Sequence, residues 1–324
     1  MKKQSATNTI TLERFIKTTK KDLEKKIKQM ISDKYILLVL EKNKHIRPIL
    51  VNLIFKACTK GKETPNMYQK ALEGGVVIEL AHAASLVHDE LINKANKRHE
   101  KTSFFEKSDA ANAILTGHKM LVIGFNVALK HGEDWAKLYV DSWDEVIDGE
   151  IDEVKINKKS FSLINNTLDQ KLLDRHTSII DYKKAAQFSS VCKAGVLEAK
   201  KSGDILKIFS EYGTETGVAY QFANDLVDLV NGKMVDSVIA SLLNKLNKNK
   251  IKLKSNNKIL IKTLFAKNKH KIQQYYLDEI KKHIKKVEKI SKSDIIPESP
   301  YKHLIKDFPR FIINEILEEV NITI

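Results

Sequence analysis

The sequence predicts an all-α protein built as a helical bundle. Its 324 residues include only 5 prolines and 12 glycines. No proline falls between Pro65 and Pro297, a gap that a β-sandwich with its frequent turns would not tolerate. Apolar residues recur at steps of three and four over long stretches, which is the period of an amphipathic helix.

The first helix is predicted over residues 10–31, where apolar side chains alternate with lysines at helical spacing. A second helix should begin near Arg47 and Pro48, because proline fits the first turn of a helix. The same spacing predicts further helices over 67–93, 110–130, 135–155, 169–200 and 204–230. Residues 74–92 and 205–229 are apolar on most sides, so we expect them to be the central helices of the bundle.

The Lys/Asn-rich stretch 244–258 is the only candidate domain break. Helical spacing resumes over 259–292, and three prolines punctuate a final helical closure over 295–324. We therefore expect a single domain over 1–324, with a core over 44–233 and a basic helical C-terminal region over 244–324.

The charge balance indicates an anionic partner. The 56 Lys+Arg against 41 Asp+Glu give a formal charge of +15, which suits phosphate-bearing small molecules, anionic lipid headgroups or nucleic acid, although composition bias alone also explains it. Nucleic acid is not expected, because no aromatic residues interleave with the basic ones. The two cysteines, Cys58 and Cys192, lack metal-ligand spacing, and no apolar run is long enough for a spanning helix. We expect a cytoplasmic protein without a transmembrane segment.

Two polar strips interrupt the central helices. His82, Asp89 and Asn93 share one face of the first helix, and Gln221, Asn224, Asp225 and Asp228 form an oxygen-rich strip on the second. If these helices pack side by side, the strips face each other across a cavity. Buried carboxylates are costly without a cation, and Mg²⁺ prefers oxygen ligands.

Basic residues flank both strips. Lys44 and Arg47 lie at a predicted helix start, where backbone N–H groups also favour anions. Arg98 and His99 follow the first strip, and Lys183 lies in a helical run before the second. Carboxylates bordered by cations are what a magnesium–diphosphate site requires.

These segments resemble the motifs of the trans-polyprenyl diphosphate synthase family. Residues 43–48, Asn-Lys-His-Ile-Arg-Pro, resemble its Gly-Lys-Arg-x-Arg-Pro box. Residues 89–93 with Arg98 and His99 resemble the first aspartate-rich motif, and residues 221–228 the second. Lys183-Lys184-Ala185 resembles the Lys-Thr-Ala box, and Gly117-His118 and Gly149-Glu150 stand where the family has Gly-Asp and Gly-Gln. The absence of an insertion in the first motif is similar to the archaeal-type geranylgeranyl diphosphate synthases.

The resemblance implies an isoprenoid synthase fold, a helical bundle around a central cavity, usually in a homodimer. It implies condensation of isopentenyl diphosphate with an allylic prenyl diphosphate. Asp89, Lys183, Asp225 and Asp228 would be catalytic, and Asp89, Asn93, Asn224 and Asp228 would bind Mg²⁺. Lys44, Arg47, His82 and His99 would hold isopentenyl diphosphate, while Arg98, Lys183 and Gln221 would hold the allylic diphosphate, with Lys233 also on the substrate side.

Two features bear on the product and on activity. Family chain length depends on the positions four and five before the first aspartate, here the small Ser85 and Ala84, which implies a product of twenty carbons or longer. Asn93 and Asn224 replace family aspartates, so a catalytically impaired paralogue, the partner or regulatory subunit of a hetero-oligomeric synthase, is the alternative to an active enzyme. A basic nucleic-acid- or membrane-binding protein and a terpene cyclase of the same fold also remain open.

Overall fold

Helices form nearly all the secondary structure of the computed structural model, which describes residues 10–41, 43–92, 97–98, 101–102, 104, 108–162, 187–232 and 258–324. In chain order, the α-helices are α1 (Leu12–Met30), α2 (Lys34–Leu40), α3 (Ile46–Thr59), α4 (Pro65–Ile92), α5 (Ala110–His131), α6 (Glu133–Ser162), α7 (187–198), α8 (Asp204–Val230), α9 (Lys258–Ile290) and α10 (Lys302–Leu317). The prediction of an all-α fold is confirmed.

A short antiparallel hairpin is the one β element in the described ranges. Strands β1 (Lys97–Arg98) and β2 (Lys101–Thr102) pair with Lys97 opposite Thr102 and Arg98 opposite Lys101. The sequence pattern also misses α2, whose seven residues are too few to show a helical period. Asp33 caps α2 by accepting hydrogen bonds from the backbone N–H groups of Tyr35 and Ile36.

The chain contacts divide into two compact units, each assembled from three segments. Unit 1 comprises Met1–Trp143, Ser190–Ser210 and Ser293–Ile305, and unit 2 comprises Asp144–Ser189, Glu211–Lys292 and Lys306–Ile324. Helices α6, α7, α8 and α10 each contain residues of both units. The single domain over 1–324 stays a prediction.

Helix α4 is the central element of unit 1 and packs most extensively on α5 and α3. The consecutive residues Val76 and Val77 are both fully buried, as are Leu80, Ala83 and Ala84, so the helix has apolar neighbours on several sides. This burial matches the expectation for residues 74–92.

A buried polar network ties four elements of unit 1 together. His131, at the end of α5, places Nδ1 2.7 Å from Glu198 Oε1 of α7 and Nε2 3.5 Å from Glu73 Oε2 of α4. Lys26 of α1 reaches the other oxygen of Glu73 at 3.2 Å. Each buried charge therefore has a partner of opposite sign or a hydrogen-bonding group, which offsets its desolvation.

In unit 2, α8 packs between α9 and the start of α7. The Phe222 ring stacks on His283 with a centroid separation of 6.0 Å and meets Tyr276 edge-on at 5.8 Å. On the other side, a Cβ placed on Gly213 would lie 2.4 Å from the backbone oxygen of Phe188. Glycine at 213 therefore permits a helix–helix approach that no larger residue allows.

We expect Gly213→Ala to lower the free energy of unfolding by about 2 kcal/mol or more, because the added methyl group meets backbone atoms that cannot rotate away. Denaturant unfolding monitored by circular dichroism measures the change. Glu211→Ala, at an exposed position of the same helix, is the control and should stay within about 0.5 kcal/mol of the wild type. Equal stability of the two variants would contradict the close packing at Gly213.

Candidate functional site

The basic box and the first polar strip meet in unit 1. Arg47, in the first turn of α3, donates from Nη1 to Nε2 of His82 on α4 across 2.9 Å. His82 therefore accepts at Nε2 and carries its ring hydrogen on Nδ1, where it acts as a donor. Two residues that lie 35 positions apart and were predicted to bind the same substrate are thus in direct contact.

A second contact, which the sequence did not reveal, fixes the same junction. His45 Nδ1 lies 3.0 Å from Glu79 Oε1, and the two side chains are 4% and 2% exposed. His45 precedes α3 with φ 56°, a left-handed conformation that costs energy for a non-glycine residue. The buried His45–Glu79 pair supports that conformation and positions the start of α3 on α4. The signal that could have predicted it is Glu79, an acid one turn before His82 on an otherwise apolar helix.

The start of α3 offers several hydrogen-bond donors. Asn43 Nδ2 is buried and has no hydrogen-bond partner among the residues that the structure describes. Lys44 is exposed, and Arg47 is 9% exposed. Cationic groups, an amide donor and the N–H groups of the first helical turn together suit an anion.

Adjacent acids at the end of α4 have different environments. Glu90 is 8% exposed, and its Oε2 accepts a hydrogen bond from the backbone N–H of Phe104 at 2.8 Å. Glu90 therefore holds the segment after α4 in place. Asp89 is half-buried and lies on the face of α4 that carries His82. Asn93 and His99 fall outside the described residues, and Arg98 is described by its backbone in β1 alone.

The side chain of His88, beside Asp89 in sequence, packs closely against α5. A Cβ on Gly117 would lie 2.2 Å from His88 Nε2, and the His88 ring meets His118 edge-on at 5.4 Å. Burial is the main cause that lowers the pKa of His88; a hydrogen bond to the backbone of Ile114 opposes it, and nearby His118 lowers it further. The neutral imidazole thus joins the end of α4 to α5.

The second strip lies on α8 in unit 2. Gln221 is 3% exposed and donates from Nε2 to Asp225 Oδ1 at 2.5 Å, which leaves its other amide hydrogen for a further acceptor. Asn224 donates from Nδ2 to the backbone oxygen of Tyr220 at 2.9 Å, so its Oδ1 is left as an acceptor or ligand. Asp228 is exposed. Lys183 and Lys233 lie outside the described residues.

The side chains present have the right chemistry for Mg²⁺ but carry less charge than the family pattern. Asp89, Asn224 and Asp228 supply carboxylate and amide oxygens, and Asn224 has an oxygen to offer. Within the described ranges, no group of three or more His, Cys, Asp and Glu side chains is arranged so that it could hold a metal ion. The predicted ligand set draws Asp89 from unit 1 and the other two from unit 2, so the metal site stays a prediction.

Comparison with known proteins establishes the family. Residues 27–291 match the family model described as polyprenyl synthetase, so the chain belongs to that family. A geranylfarnesyl diphosphate synthase of Methanosarcina mazei is 24% identical over 193 residues, which are 59% of this chain and 60% of that protein. The heptaprenyl diphosphate synthase component 2 of Bacillus subtilis is 25% identical, with 74% of this chain and 70% of that protein covered.

A solved structure agrees in fold. The heptaprenyl diphosphate synthase of Staphylococcus aureus superposes with a TM-score of 0.73 at 20% identity, covering 94% of this chain and 98% of that one. The isoprenoid synthase fold that the motifs implied is therefore confirmed.

The lowered pKa of His88 predicts a specific pH dependence of stability. A histidine that binds its proton less well when folded adds full stability above its ordinary pKa of about 6.5, and this contribution is lost as the pH falls below that value. We expect the thermal midpoint to drop between about pH 7.5 and about pH 5.5, and to drop less in His118→Asn, which removes one cause of the lowered pKa.

The pKa of His88 itself, followed by the NMR titration of its ring protons, provides the direct check. It should rise in His118→Asn yet stay below the ordinary value, because burial is the larger cause. An unchanged His88 titration in the variant would show that His118 does not influence it.

Proposed function

We propose that the chain is a prenyltransferase that condenses isopentenyl diphosphate with an allylic prenyl diphosphate in a magnesium-dependent reaction. The contact between Arg47 and His82 carries the proposal, because it brings the basic box onto the helix that bears Asp89. Membership of the polyprenyl synthetase family supports it. The buried, reduced cysteines Cys58 and Cys192 are consistent with a cytoplasmic enzyme.

Isopentenyl diphosphate would bind at the start of α3. Lys44 and Arg47 supply positive charge, His82 supplies its Nδ1 hydrogen, and His99 would complete the set. The Arg47–His82 contact fixes both side chains before the substrate arrives, so little conformational freedom is lost on binding. The substrate's double bond is thereby held in one orientation.

The allylic diphosphate is the second substrate in this proposal, and the family motifs imply which residues would bind it. Asp89, Asn93, Asn224 and Asp228 would hold Mg²⁺, which when bound neutralises the diphosphate and makes it a better leaving group. Arg98, Lys183 and the second amide hydrogen of Gln221 would take the remaining charge, with Lys233 nearby in sequence. Asp225, held by Gln221 at 2.5 Å, would keep that amide in place.

The apolar character of α4 matters for the chemistry that follows. The allylic C–O bond breaks, the double bond of isopentenyl diphosphate attacks the resulting cation, and the departing diphosphate accepts the proton that is released. Fully buried residues such as Val77, Leu80 and Ala84 keep water away from this side of α4, so the cation is protected from hydrolysis.

Small residues support a long product. Ala84 is fully buried and Ser85 is half-buried, with its hydroxyl donating to the backbone oxygen of His82 at 2.8 Å. Neither side chain is large enough to stop a growing prenyl chain one turn before Asp89. We therefore propose a product of twenty carbons or longer, as in the geranylgeranyl-type synthases that the first motif resembles.

Purified protein with Mg²⁺, labelled isopentenyl diphosphate and an allylic starter should form a hexane-extractable product. Asp89→Ala should reduce turnover by about a hundredfold or more, because it removes charge that the leaving group requires. Asp141→Ala, which removes an exposed acid paired with Lys137 on α6, is the control and should leave turnover unchanged. Full activity of Asp89→Ala would refute this assignment.

A partner-subunit role is the second candidate function. Asn224 brings an oxygen without charge to a position where the family has aspartate, and one relative is by name a component of a heptaprenyl diphosphate synthase. On this hypothesis the chain alone would be weak or inactive and would need a related subunit.

Restoring the charge separates the two candidates. If the site is intact but short of charge, Asn93→Asp combined with Asn224→Asp should raise turnover by about tenfold or more. The control is Asn66→Asp, which adds a charge at an exposed position in the first turn of α4, far along the helix from Asp89, and should have no effect on turnover. No product from either protein alone, but product after a related subunit is added, would favour the partner-subunit role.

Self-association is the proposed oligomeric state. Leu115, His118, Val122, Phe125 and Leu129 follow one another on α5 at steps of three and four, the spacing of a helix–helix seam. Leu115 is 65% exposed, Val122 56% and Leu129 53%. A continuous exposed apolar seam of this kind suits a second copy of the chain or a related subunit.

Val122→Asp should shift the protein to monomer in analytical ultracentrifugation, since a buried charge at the centre of the seam is costly. Leu38→Asp, an equivalent change at a 36% exposed position on α2, should leave the mass unchanged. A monomeric wild type, or a Val122→Asp variant that stays dimeric, would refute the seam.

A further inference from the structure

The C-terminal half of α9 and the turn after it carry a row of lysines on one side. Lys281, Lys285, Lys289 and Lys292, here called the basic stripe, recur at steps of four, four and three and are all exposed. This spacing places them on one helical face. The proposed prenyl transfer uses none of them.

The stripe is not neutralised by the residues around it. None of its four lysines forms an ion pair with a residue that the structure describes. Four nearby acids of unit 2 have other partners: Glu279 pairs with Lys282 at 2.9 Å, Glu215 with Lys286 at 2.9 Å and Glu288 with Arg310 at 3.0 Å. The exposed Asp278, three residues before Lys281, accepts a hydrogen bond from Gln274 at 2.8 Å. The charge of the stripe is thus left for an external partner.

The composition of this surface limits the chemical class of its partner. The exposed residues within 281–292 are all lysines, so this face offers no apolar surface to a protein partner. It also lacks exposed aromatic side chains on which nucleic-acid bases could stack. Flexible ammonium groups without a shape-specific pocket suit a flat, diffuse layer of negative charge.

We propose that the basic stripe docks the protein on an anionic lipid bilayer. The preference for a bilayer over duplex nucleic acid rests on the proposed function, because a prenyl product of twenty carbons or longer is soluble in lipid rather than in water. Docking would place the enzyme at the bilayer, in which its product dissolves.

Vesicle flotation of the full chain tests this directly. The protein should float with vesicles of phosphatidylcholine containing about 30 mol% phosphatidylglycerol and stay behind with phosphatidylcholine alone. Replacing all four lysines of the basic stripe by glutamine should reduce the bound fraction by about tenfold or more. Binding of the wild type should weaken strongly at about 0.5 M salt, because screening then reaches only a few ångströms.

The chain offers a closely matched control on α1. Lys17, Lys21, Lys25 and Lys28 have the same spacing and exposure, but Asp22 and the exposed Glu24 lie among them. Their fourfold replacement by glutamine removes the same net charge, and vesicle binding should change by less than about twofold. Equal losses in both variants would show that total charge, rather than the basic stripe, is responsible, and would overturn the proposal.

Two further measurements separate this inference from the proposed function. Prenyl transfer without vesicles should be unchanged in the stripe variant; product formation with no vesicle binding would refute the docking surface alone. Vesicle binding without product would refute the proposed function and leave the docking intact. Tighter binding of the wild type to duplex DNA than to anionic vesicles, lost in the stripe variant, would replace the bilayer with nucleic acid as the partner.

Discussion

The structure depends on one constraint: polar side chains on a buried apolar helix require hydrogen-bonding or ionic partners. On α4, three of them contact neighbouring elements: Glu79 contacts His45, His82 contacts Arg47, and Glu90 contacts the backbone of Phe104. Each contact offsets desolvation, and each also fixes the position of a segment outside the helix. The basic box before α3 and the segment after α4 are therefore placed by the same strip that carries Asp89.

Polar side chains on α8 also form hydrogen bonds. Gln221 donates to Asp225 along the helix, and Asn224 donates to the backbone one turn earlier. These bonds leave an amide hydrogen on Gln221 and an oxygen on Asn224 available to other groups. A cation with a bound diphosphate would offer an acceptor for the first and a ligand position for the second, and this is why such a ligand is proposed for the strip on α8.

Local features of the structure follow from the sequence, and the long-range ones do not. The helical period predicts α1, α3 to α6, α8 and α9, because each presents an apolar face over several turns. The helical period does not predict that Asp89 and Glu90 have different environments. The environment of Glu90 depends on a hydrogen bond from Phe104, which lies fourteen residues further along the chain. Nor does it pair His45 with Glu79: an acid on an apolar helix indicates that a partner is needed, but not that the partner lies 34 positions away. Whether the strips of α4 and α8 converge is likewise a property of packing between distant segments.

The binding of inorganic diphosphate, followed by isothermal titration calorimetry with and without Mg²⁺, tests that convergence most directly, since it needs no turnover. The account predicts Mg²⁺-dependent binding that is weakened about tenfold or more by Asp89→Ala and equally by Asp228→Ala, although the two residues belong to different units. Wild-type affinity in Asp228→Ala, or binding that ignores Mg²⁺, would show that the two strips do not form one site.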